Sequence, residues 1–98
     1  PVYRRLVAAA VSARAGDTAR ARAELARARG EAAGNPAVSR PMGWDEAYLL
    51  LVLGDRAAAR ARLDAWLAEY PSMRESAARD PLFRELFPDV SAGVPAAR

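Results

Sequence analysis

The chain has no cysteine, no histidine and no lysine. Without cysteine no disulfide staples the fold, and cysteine usage says nothing about redox compartment. The usual zinc, haem and blue-copper sites lose their commonest ligands. Ser12, Ser39, Ser72, Ser76 and Ser91 have no histidine to activate them and no lysine to stand in for one. The six glycines are solitary, so no glycine-rich phosphate loop is present. These absences leave no catalytic equipment in view, and neither an enzyme activity, a metal nor a cofactor is expected.

Long apolar runs are also missing. The longest, Ala47 to Leu53, falls far short of the ~20 residues that span a bilayer. The opening Pro1-Val2-Tyr3-Arg4-Arg5 lacks the apolar stretch and cleavage site of a signal peptide. A cytoplasmic setting is the expectation. A start at proline rather than methionine reads as a piece of something longer.

What is present is an alanine-rich, arginine-rich chain of 98 residues with a net charge of +3. Its 52% apolar content is too high for a disordered chain. One domain with a modest core is expected over residues 1–90, followed by a disordered tail at 91–98. Alanine buries little area, so the larger side chains must supply most of the core. These run from Tyr3, Leu6, Val7 and Val11 through Leu25, Trp44, Tyr48, Leu49–Leu51 and Leu53 to Leu63, Trp66, Leu67, Leu82, Phe83, Leu86 and Phe87.

Periodicity predicts four main helices. The first covers Val2 to Ala15, with Tyr3, Leu6, Val7, Ala10 and Val11 as one apolar stripe. Gly16 stops it, and Asp17 caps the next. The second covers Thr18 to Ala33. Its Ala19-Arg20-Ala21-Arg22-Ala23 alternation looks strand-like, but Ala and Arg are strong helix formers and β-branched residues are missing. Its inward stripe is Ala21, Leu25, Ala28 and Ala32, with Arg20–Glu24 and Glu24–Arg27 pairs on the neighbouring face.

Residues 34–43 read as a loop. A third helix follows over Trp44 to Leu53, and Gly54-Asp55 repeats the stop-and-cap. A fourth covers Arg56 to Tyr70, with Ala59, Leu63, Trp66, Leu67 and Tyr70 inward, and Pro71 ends it. Ser72 with Glu75 forms a capping-box pattern for a short fifth helix. Asp80-Pro81 opens another helical turn, whose Leu82, Phe83, Leu86 and Phe87 must pack on something.

The Gly-Asp junctions lie 38 residues apart. Each follows an apolar helix and precedes an Ala-x-x-x-Leu step, Ala21/Leu25 and Ala59/Leu63, with Pro36 and Pro71 closing the second helices. This pattern resembles the tetratricopeptide repeat (TPR), a helix-turn-helix unit of about 34 residues. The resemblance covers residues 1 to 88. The family's Trp-x-x-Leu-Gly-x-x-Tyr pattern is absent around Leu6 to Ala13, and only Trp44, Ala47 and Tyr48 retain it in the second copy. Arg79-Asp80-Pro81-Leu82-Phe83-Arg84-Glu85-Leu86 looks like the helix that closes such arrays in bacterial multidomain proteins. A generic helical bundle without repeat ancestry is the alternative.

The resemblance implies an all-α, TPR-like α-α superhelix of antiparallel hairpins. Hairpin 1 takes residues 2–33, hairpin 2 residues 44–70, and a capping segment residues 72–87. It further implies a scaffold that binds a protein or peptide along a groove lined by the first helix of each hairpin. That places Tyr3, Leu6 and Ala10 beside Trp44, Tyr48 and Leu51. Trp44 and Tyr48 also read as plain core, which is the favoured reading. The slots that hold Lys, Arg and Asn in the family's carboxylate-clamp members are Leu6 and Ala10 here, so capture of an acidic C-terminus is not expected.

Two further partner classes are open to such a chain. Two repeats are marginal for a solenoid, so the C-terminal segment or a second copy of the chain must cover an apolar end, and a homodimer is the first alternative. The second is nucleic acid, through Arg20, Arg22, Arg27 and Arg29. It is disfavoured because no aromatics are interleaved with these arginines. A membrane partner is excluded by the absence of a bulky apolar face on the second helix. Asp45 and Glu46 are adjacent acids, which on a helix diverge by about 100° and do not converge on one atom. Asp45 fits the N-terminal turn, where negative charge suits the helix dipole.

Overall fold

The computed structural model describes residues 2–86, apart from the side chain of Glu85. The expected disordered tail and the packing expected of Phe87 lie outside them. Among the described residues the fold is all-α: α1 (Val2–Arg14), α2 (Thr18–Ala32), α3 (Pro36–Ser39), α4 (Gly43–Val52), α5 (Arg56–Glu69) and α6 (Arg74–Arg79). Two 3-10 turns, Pro71–Met73 and Arg84–Leu86, complete it. α1 packs on α2 and α4 on α5 as two antiparallel hairpins, and α1 joins them by packing against α4.

The two hairpin turns are built from the same bonds. Gly16 and Gly54 both take φ +87°, a conformation that glycine adopts without a Cβ penalty. The amide of Asp17 donates to Ser12 O, and that of Asp55 donates to Leu50 O, at 2.8 and 2.9 Å. Each aspartate carboxylate then caps its helix, accepting from Arg20 N at 3.1 Å and from Ala58 N at 3.2 Å. The 38-residue repeat in the sequence is therefore a repeat in the structure. Ala21, Ala59 and Leu63 are fully buried, and Leu25 nearly so.

Four expectations need correction. Residues 34–43 are not all loop, because Pro36 starts the short helix α3. Its fixed φ suits a first helical position, and Val38 N and Ser39 N both donate to Asn35 O. Ser72 caps nothing: Pro71 instead begins a 3-10 turn, so α6 starts later, at Arg74, with no side-chain cap. Asp80-Pro81 does open a turn, with the Asp80 carboxylate accepting from Leu82 N at 2.8 Å, but Leu82 itself is exposed.

The fourth correction concerns α1. Its buried face is Leu6, Ala9 and Ala13, while Tyr3, Val7 and Val11 stay 69%, 46% and 63% exposed. Small residues win the interface because α2 offers only Ala21, Leu25, Ala28 and Ala32. Two alanine faces bring helices close, and larger side chains are left on the outer flank.

The second hairpin closes differently. Trp66 on α5 packs edge-on to Trp44 at 5.3 Å, and Trp44 packs edge-on to Phe83 at 4.7 Å. Such pairs add about 0.5–1.5 kcal/mol each beyond area burial. The C-terminal segment thus covers this hairpin: Phe83 is fully buried, and Arg60, itself paired with Asp64, donates to the Leu86 carbonyl. α4 begins at a glycine because a Cβ at Gly43 would fall 2.7 Å from Trp66 Cδ1 and 2.8 Å from its Cβ.

Candidate functional site

Because α1 keeps its larger side chains outside, a cleft of about 400 Å³ opens between α1 and α4. Its deeper lining is Leu6, Ala10 and Tyr48, and its outer wall is Tyr3, Val7 and Val11. Asp45 and Arg14 supply its charge. Asp45 also borders a smaller cleft with Val2, Tyr3 and Met42, which places it toward the N-terminal end of α1. Arg14, the last residue of α1, holds its guanidinium over the Tyr48 ring, 5.4 Å from the centroid.

Neither charge has an ionic partner among the described residues. Burial among apolar groups pushes the Asp45 carboxyl above its ordinary range.

Of the expected groove residues, the structure brings Tyr3, Leu6 and Tyr48 together in this cleft. Trp44 and Leu51 are elsewhere. Trp44 belongs to the aromatic cluster with Trp66 and Phe83, and Leu51 lines a separate cleft of about 320 Å³ with Pro81 and Leu82.

Glu46 turns away from Asp45, as helix geometry requires, and is buried. Its carboxylate accepts from Arg29 Nε of α2 at 2.5 Å and from Arg62 Nε of α5 at 2.8 Å. Arg62 also donates to Ser39 O at 3.0 Å. One carboxylate therefore ties α2, α4 and α5 together beside α3. Sequence reasoning missed this clamp. An acid inside the most apolar helix was the available signal, but its partners lie 17 and 16 residues away and nothing local marks them.

The basic excess of the first hairpin is engaged in part: Arg5, Arg27 and Arg29 are ion-paired, whereas Arg4, Arg14, Arg20 and Arg22 have no ion pair among the described residues. Arg5 reaches Glu31 at 2.7 Å and Glu24 at 3.5 Å, and Arg27 reaches Glu24 at 3.3 Å. Among the described residues no cluster of three metal-ligating side chains occurs, and no helix is long and apolar enough to cross a membrane. No family model matches the chain, and neither a curated protein nor a solved structure does.

Proposed function

We propose that this chain is a non-catalytic protein–protein interaction module, a degenerate TPR-like pair of hairpins that docks a partner segment in the cleft between α1 and α4. The scaffold role within or beside a larger bacterial protein, and its cytoplasmic setting, belong to the same proposal. The observation that carries it is the exposure of Tyr3, Val7 and Val11 in one row along that cleft. A contiguous apolar row beside a concave surface is the usual mark of a binding site. A nucleic-acid reading gains less support: of its four arginines, Arg27 and Arg29 already pair with Glu24 and Glu46, which leaves only Arg20 and Arg22 exposed without an ion pair among the described residues.

The test is capture from a lysate of the source organism by the immobilised chain, with nuclease added, alongside a Val11→Asp variant. Proteins retained by the wild type and lost by the variant, with both melting alike, are the expected result. Equal retention by the two would refute the cleft as the docking surface.

A further inference from the structure

We propose that the occupant of the α1–α4 cleft is the same cleft of a second copy of this chain, with the two α1 helices antiparallel about a dyad at Val7. This rests on the docking reading above and names its partner.

The row on α1 is self-complementary in register. Tyr3, Val7 and Val11 sit at i, i+4 and i+8, one row on one face of α1. The row is centred on Val7, so a two-fold axis there lays Tyr3 on the partner's Val11, and Val7 on the partner's Val7. A dyad demands such a self-complementary patch. The three side chains are the large apolar groups that the first hairpin leaves in water.

The charges at the two ends of the row are complementary as well. Asp45 sits toward the Tyr3 end of the row, where it shares a cleft with Val2 and Tyr3. Arg14 lies one helical turn beyond Val11, at the other end. The same dyad brings each Asp45 to the partner's Arg14, twice over. Both groups lack an ionic partner within the described residues; Arg4, Arg20 and Arg22 of the same hairpin lack one too, but Arg14 is the arginine that lines the cleft. Covering the cleft with a purely apolar segment would desolvate Asp45 further without compensation. Covering it with a copy supplies the missing cation. Arg14 can serve while stacked on Tyr48, since the guanidinium edge stays available when its face is against a ring.

The patch is small, so the dimer is weak and concentration-dependent. Sedimentation equilibrium from ~10 µM to ~1 mM covers the relevant affinity range. The wild-type mass is expected to rise from monomer toward dimer. Val7→Asp, which sets two carboxylates on the axis, abolishes the rise. Arg14→Glu and Asp45→Arg each weaken association by ~10-fold or more, and the two combined recover most of it. Thermal melts of all variants accompany the series, and Val7 and Arg14 are exposed positions, so two of the variants do not depend on tolerance at Asp45.

A monomer throughout, a dimer indifferent to Val7→Asp, or a charge swap without recovery overturns the proposal. A strict monomer that still loses lysate partners on Val11→Asp would remove self-pairing and leave docking of another protein in place. Capture indifferent to Val11→Asp would remove the docking reading itself.

Discussion

The hairpin of α1 and α2 and the hairpin of α4 and α5 turn on the same hydrogen bonds and close on different side chains. The first is zipped by Ala9, Ala13, Ala21 and Ala28 around Leu6 and Leu25. The second is filled by Leu49, Leu63, Trp66 and Leu67, and capped by Phe83. The alanine hairpin brings its helices together and has no room for large groups, so Tyr3, Val7 and Val11 stay outside. The aromatic hairpin has room, and the C-terminal segment seals it. Identical punctuation thus yields one closed unit and one with an unfilled face. The difference comes from side-chain volume at the helix contacts, not from the turns.

The contrast can be broken at several points. Phe83→Ala should have the largest effect, about 3–5 kcal/mol, because it empties the seal over Trp44. A chemical melt close to wild type would show that the C-terminal segment is not part of the core. Gly43→Ala should cost about 1–3 kcal/mol, since its Cβ would press on the Trp66 Cβ and ring. An unchanged melt there would mean that α4 and α5 are not in close approach. Glu46→Gln should cost about 1–3 kcal/mol by weakening two charge-assisted bonds, and a double-mutant cycle with Arg62→Ala measures the coupling. Val11→Asp should change stability by less than about 0.5 kcal/mol, and a large loss would place Val11 in the core.

Asp45 sharpens the contrast through pH. Its raised carboxyl pKa means that the folded state holds this proton more firmly than the unfolded chain does. The favourable contribution is therefore present at pH below the ordinary aspartate range and is lost as pH rises through the folded-state value. Asp45→Asn should be more stable than wild type at neutral pH. The advantage should shrink on acidification, as read by denaturant melts along a pH series. An advantage that grows toward low pH would reverse the assignment.

Much of the fold was legible because it is written locally. Gly16-Asp17, Gly54-Asp55 and Pro71 mark their boundaries within a few residues, and the α2 and α5 stripes follow helical spacing. The site was half legible. Tyr3, Leu6 and Tyr48 do share a cleft, but Tyr3, Val7 and Val11 were expected inside, because periodicity identifies an apolar face without saying whether its neighbour can receive it. Trp44 and Leu51 lie on other surfaces of α4, and their placement depends on Phe83 and Leu82, more than 30 residues on. The Glu46 clamp left one local sign, an acid in the most apolar helix, but both of its partners are distant in sequence.

The central claim is that the exposed row on α1 is a docking surface that a second copy fills. Methyl NMR over a dilution series tests it most directly. The account predicts that the Val7 and Val11 methyl signals move together with concentration while those of Leu63 and Leu67, buried in the second hairpin, hold still. Signals from Val7 and Val11 that stay fixed from ~10 µM to ~1 mM, or movement confined to the second hairpin, would contradict it.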